Sequence, residues 1–156
     1  MRTIGKAVLT AVCGTALMLL ALPGIPAAAD AHDMDMGEKI FSGKVGPWPA
    51  EARLVDMKAQ MEKSGVSAKT AARFAGKRHL MLFLTDPATG KPAAGVAGKV
   101  DVTGPDMASS SKVTLVVMGE HIGVDVGMPT PGKYAFKAEV ESAGRKGSAT
   151  FSYTLK

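Results

Sequence analysis

From Lys77 to the last residue the chain alternates apolar and polar side chains with a period of two, interrupted by dense turn signals. Successive side chains on a strand point to opposite faces, so a helix built from this stretch would bury its polar half. Leu80, Leu82 and Leu84 alternate with His79, Met81 and Phe83, and Asp86-Pro-Ala-Thr-Gly90-Lys-Pro92 then turns the chain. Further strands are expected at 100–103, 113–118, 122–126, 133–141 and 148–155. Gly104-Pro105-Asp106, Gly119-Glu120, Met128-Pro-Thr-Pro-Gly132 and Gly144-Arg-Lys-Gly147 separate them. In the last two strands Tyr134, Phe136, Ala138 and Val140, then Phe151, Tyr153 and Leu155, face inward while Lys, Glu, Ser and Thr face water. Six or seven short antiparallel strands at this spacing predict an all-β, immunoglobulin-like sandwich over residues 77–156.

The preceding segment, 48–76, reads as a helical or edge-strand piece packed on that sandwich. Glu51 to Met61 are good helix formers with Leu54, Val55, Lys58 and Met61 at helical spacing and Gly65 at the C-cap position. A first strand with Ala52 and Leu54 facing in is the competing reading, because a small sandwich needs an edge strand here. Ser67 to Phe74 adds a short helix with Ser67 as N-cap and Gly76 as stop. Residues 30–47 are polar, rich in Asp, Met and Gly, and without a sustained period, which predicts a flexible arm docked by Trp48.

Residues 1–29 carry the marks of a secretory signal peptide: Arg2 and Lys6, then apolar Ala7 to Leu22, then Ala27-Ala28-Ala29. The apolar run ends at Pro23-Gly24, short of the roughly 20 residues a spanning helix needs. The expectation is a periplasmic or secreted protein with no membrane attachment after cleavage. Removing the leader takes away Cys13, and with it any disulfide, thiolate metal site or cysteine nucleophile. It also takes Arg2 and Lys6, leaving 17 basic against 14 acidic residues, a surplus too small to argue for nucleic acid. No Ser/His/Asp context, phosphate loop or informative carboxylate pair is present, so the expectation is a binding protein rather than an enzyme.

Eight of the ten methionines lie beyond the leader, alongside all three histidines. The alternation sorts them. If Leu80, Leu82 and Leu84 face the core, His79 and Met81 share the other face; if Val113, Leu115 and Val117 face in, Met118 faces out, and His121 starts the next strand. Thioether sulfur suits Cu(I) and imidazole binds both copper states, so His79, Met81, Met118 and His121 form a candidate Cu(I) site, with Met128 able to join from its loop. The alternative is an apolar layer of methionines with ordinary surface histidines. His32, Met34 and Met36 form a second candidate set on the arm. Cleavage after Ala29 would expose Asp30-Ala31-His32, whose amine, amides and imidazole can take Cu(II); cleavage after Ala31 would make His32 itself the first residue. Met57 and Met61, four apart, read as packing, and Met107 has no evident partner.

Thr85-Asp86-Pro-Ala-Thr-Gly-Lys-Pro92, Val102-Thr-Gly-Pro-Asp106, Met118-Gly-Glu-His121 and Met128-Pro-Thr-Pro-Gly-Lys-Tyr134 together resemble exported immunoglobulin-like domains of the YtkA-like and CopC-like copper-handling groups. The likeness covers about half the chain, and only Met118 and His121 bear on metal. It implies periplasmic copper binding or delivery. The usual N-terminal histidine site of CopC-like proteins is missing from the domain proper, which favours Cu(I) over Cu(II). A metal-free sandwich that docks a periplasmic partner protein is the competing function, since an exposed Met/Phe patch would serve it equally well.

Overall fold

A computed structural model describes residues 36–156; the leader, His32 and Met34 lie outside the described residues. The strands are β1 (Glu38–Val45), β2 (Trp48–Asp56), β3 (Lys77–Leu84), β4 (Ala97–Thr103), β5 (Ser111–Met118), β6 (His121–Gly127), β7 (Gly132–Ser142) and β8 (Arg145–Leu155). They hydrogen-bond in the order β1-β2-β3-β6-β5-β4-β7-β8, every neighbouring pair antiparallel. Strand β5 changes partner part-way: Ser111–Leu115 pairs with β4, whereas Val116–Met118 pairs with β6. This exchange folds the eight strands over one another. At the far edges Gly46 and Gly147 come together, where a Cβ on Gly46 would stand 2.5 Å from the Gly147 Cα. The result is an all-β, immunoglobulin-like antiparallel sandwich with a short helical insertion. No helix among the described residues is long and apolar enough to cross a membrane.

The core is the inward face the alternation selects. Leu80, Leu82, Phe136 and Tyr134 are at most 1% exposed, and Leu84, Val140 and Phe151 are also buried. Phe151 stacks between Phe41 and Phe136, with ring centroids 4.8 and 5.4 Å away, tying β1 to β7 through β8. Tyr153 and Leu155 are only partly buried against this cluster. The Tyr134 hydroxyl donates to the Thr130 carbonyl at 2.8 Å, so the phenol enters the core without an unsatisfied polar group.

Three expectations need correction. Part of the arm is a strand: residues 38–45 form β1 and end in a fully buried Val45. This strand lacks a clean alternation because a register shift falls between Lys39 and Phe41, and its order comes from pairing with β2. The helix expected from Glu51 starts only at Met57. Residues up to Asp56 are strand, with Ala52 and Leu54 buried, since β2 is hydrogen-bonded to β1 and β3 on its two edges. Helix α1 (Met57–Lys63) begins where the Asp56 carboxylate accepts the Ala59 N–H at 3.1 Å, and it closes at Gly65, whose φ is +79°. Met57 and Met61 are not buried, so they are not the core stripe their spacing suggested. The third correction is Val117, expected inside but 61% exposed, where β5 has left β4 and pairs with β6 instead. Helix α2 (Ala68–Ala71) and the 3-10 turn Ala72–Phe74 match the expected short helix, with Ser67 Oγ capping Thr70 N–H.

Candidate metal site

The outward face of β3, β6 and the end of β5 holds the chemistry. Register puts His79 opposite Asp125 and Met81 opposite Gly123 across β3 and β6; Val116 lies opposite Gly123 and Met118 opposite His121 across β6 and β5. Directly opposed residues in antiparallel strands share a face, with Cβ atoms about 4.5–5.5 Å apart. His79, Met81, His121 and Met118 therefore occupy one face and surround Gly123. Met118 and His121 reach each other because only Gly119 and Glu120 turn the chain between them. The His79 and His121 rings lie edge to face with centroids 6.0 Å apart.

The two imidazoles are prepared differently. Asp125 Oδ1 accepts a hydrogen bond from His79 Nδ1–H at 2.7 Å, and in the neutral ring this places the lone pair on Nε2. His121 Nε2 is buried with no hydrogen-bond partner among the described residues. Phe83 lies against this ring at a centroid distance of 5.2 Å. Burial, and secondarily the neighbouring His79, lowers the His121 pKa, which keeps the ring neutral and its lone pair available. A buried imidazole nitrogen without a partner is costly to keep unless something binds it.

The sulfurs differ in access. Met81 is 7% exposed yet stands outside the main core cluster, and Met118 is 41% exposed beside the hairpin turn. Among the described residues no three His, Cys, Asp or Glu side chains form a group that could hold a metal ion. The acid on the neighbouring strand is already committed. Glu51, opposite Phe83, is bound by Lys39 and Arg53, which hold its carboxyl below the ordinary glutamate range in that order of strength.

Not every expected ligand joins this face. Met128 is 1% exposed within the hydrophobic core, on the inward side after Val126, so its thioether packs there rather than reaching the histidines. Met36 is 45% exposed just ahead of β1, and Met107 is 91% exposed. Sequence reasoning missed Asp125 and Gly123. The signal was the alternation of β6, in which His121, Gly123 and Asp125 share the side opposite Ile122, Val124 and Val126. An open groove of about 760 Å³ lies elsewhere, over Gly98, Lys99, Glu139 and Gly147, and contains none of these ligands.

Neither a scan against protein-family models nor a search of curated proteins finds a match for this chain. Solved structures do match. A copper-bound variant of Campylobacter jejuni P19 is similar over 76% of this chain and 96% of its own, at 13% identity and a TM-score of 0.55. A second copper-bound variant of that protein matches over the same shares, at 12% identity and a TM-score of 0.51. The likeness establishes the fold. At these identities it assigns no ligand in this chain, and the site rests on its own geometry.

Proposed function

We propose that this chain is an exported copper-binding protein that carries Cu(I) as cargo on the outer face of β3, β5 and β6, held by His79, Met81, Met118 and His121. The observation that carries the reading is the pair of imidazoles: His79 fixed by Asp125 with Nε2 open, and His121 with a buried, unpartnered Nε2. Two thioethers on the same face complete a soft, thiol-free donor set suited to Cu(I). The copper-bound state of the P19 structures that share this fold supports copper as the metal. The resemblance to YtkA-like and CopC-like domains supports periplasmic handling, and the leader at 1–29 supports export. His32, Met34 and Met36 would collect copper ahead of β1, with Cu(II) held at His32 when cleavage exposes it.

Anaerobic titration of the mature protein with Cu(I) against a chromophoric chelator tests this. One tightly held ion per chain is expected, lost when His79 and His121 are both replaced by Ala. Retention of full affinity in that double variant would refute the site. The consecutive exposed residues Val116, Val117 and Met118 favour a second reading, in which this edge docks a periplasmic partner protein. Absence of Cu(I) binding by the wild-type chain would leave that reading in place.

A further inference from the structure

Gly123 sits at the centre of the ligand face, with His121 and Asp125 two residues away along β6, Met81 opposite on β3 and Val116 opposite on β5. Its backbone dihedrals do not demand glycine: Gly123 is absent from the positive-φ positions, which include Gly119 on the adjoining turn. Nor does β6 need glycine in general, since a Cβ at Gly127 would meet nothing within 4 Å. At Gly123 a Cβ would stand 2.9 Å from His79 Nε2, 3.3 Å from His121 Cδ2 and 2.8 Å from the Leu80 carbonyl oxygen. The atoms crowding that point include both candidate imidazoles, one through the very nitrogen left open by Asp125.

We propose that Gly123 is the floor of the metal site: its missing side chain provides the space in which an ion meets both histidines. The inference deepens the Cu(I) reading above and rests on it. An ion bound to imidazole nitrogen lies about 2.0–2.1 Å from it. A methyl carbon 2.9 Å from His79 Nε2 would compete for the same volume over the strand. The site would then be closed without the loss of any ligand atom.

The experiment compares wild-type protein with Gly123→Ala by anaerobic Cu(I) competition, with circular dichroism and thermal unfolding run alongside. A folded Gly123→Ala chain should bind Cu(I) about 100-fold more weakly, on the scale by which disturbed metal surroundings lower affinity. A folded variant with wild-type affinity overturns the proposal and leaves the copper reading standing; it would mean that glycine serves only the approach to the Leu80 carbonyl. If Gly123→Ala does not fold, NMR of the wild-type chain decides. Adding Cu(I) should move the Gly123 Cα and Hα resonances together with the His79 and His121 ring signals. Ring signals that move while Gly123 stays still overturn the floor. Failure of the wild-type chain to bind Cu(I) overturns the copper reading and this inference with it.

Discussion

Replacing Met81 and Met118 together by Leu separates a copper site from a second layer of apolar packing. Leucine keeps nearly the same volume and removes only the sulfur, so the two readings predict opposite results. The structure sets the stability side. Met81 is 7% exposed, and a volume-conserving exchange at such a position costs less than about 1.5 kcal/mol. Met118 is 41% exposed at the hairpin end, where a surface exchange changes stability by no more than about 0.5 kcal/mol. The double variant should therefore lose less than about 2 kcal/mol, measured as a small shift of the urea midpoint at unchanged slope. Its Cu(I) affinity should fall far more. Disturbing a group behind the ligands typically costs 10–100-fold, so losing two ligands should cost about 100-fold or more. Chelator competition under anaerobic conditions reads that number directly. Affinity unchanged within threefold, alongside the small stability loss, would show that the thioethers only pack and would refute the Met/His donor set.

Three further outcomes test other parts of the structure. Leu82→Ala opens a cavity at a position 1% exposed on the inward face of β3 and should cost roughly 2–5 kcal/mol in chemical denaturation; a neutral effect would mean that the faces of β3 are reversed. Deleting residues 30–35 should leave the unfolding midpoint unchanged while slowing copper uptake, whereas extending the deletion through Val45 removes β1 and its pairing with β2 and should unfold the domain. Glu139 has its pKa lowered to about 2, mainly by Lys99 and then Lys137. The unfolded chain takes up the proton first, near 4.5, so the stabilisation is present above that pH and is lost as pH falls towards 2. Glu139→Gln should flatten the acid limb of the melting-temperature profile in that window at low salt, with the difference shrinking as salt is raised; parallel profiles for the two proteins would refute the assignment.

The strand faces were legible because a period of two is a local property: each side chain's side of the sheet follows from its neighbour's. That placed Leu80, Leu82, Leu84, Phe136 and Phe151 inside and put His79 and Met81 together on the other face of β3, whereas the place of Met118 beside them follows from the pairing of β5 with β6. Local capping chemistry likewise marked Ser67 and Gly65. What neighbours in sequence could not decide was which strands pair. Residues 38–45 carry too little alternation to announce a strand, and their order depends on contact with β2 and β8. Residues 51–56 have a helix former's composition, but hydrogen bonds on both edges outweigh that weak local preference. Val117 and Met128 exchanged their expected positions, surface for core, because β5 leaves β4 and the loop after β6 turns inward, both consequences of tertiary arrangement. The same long-range pairing brought Asp125 to His79 across 46 residues and put Gly123 between the imidazoles. Residue types and their faces belong to the local chain; the gathering of His79, Met81, Met118 and His121 on one face exists only once β3, β6 and β5 lie side by side.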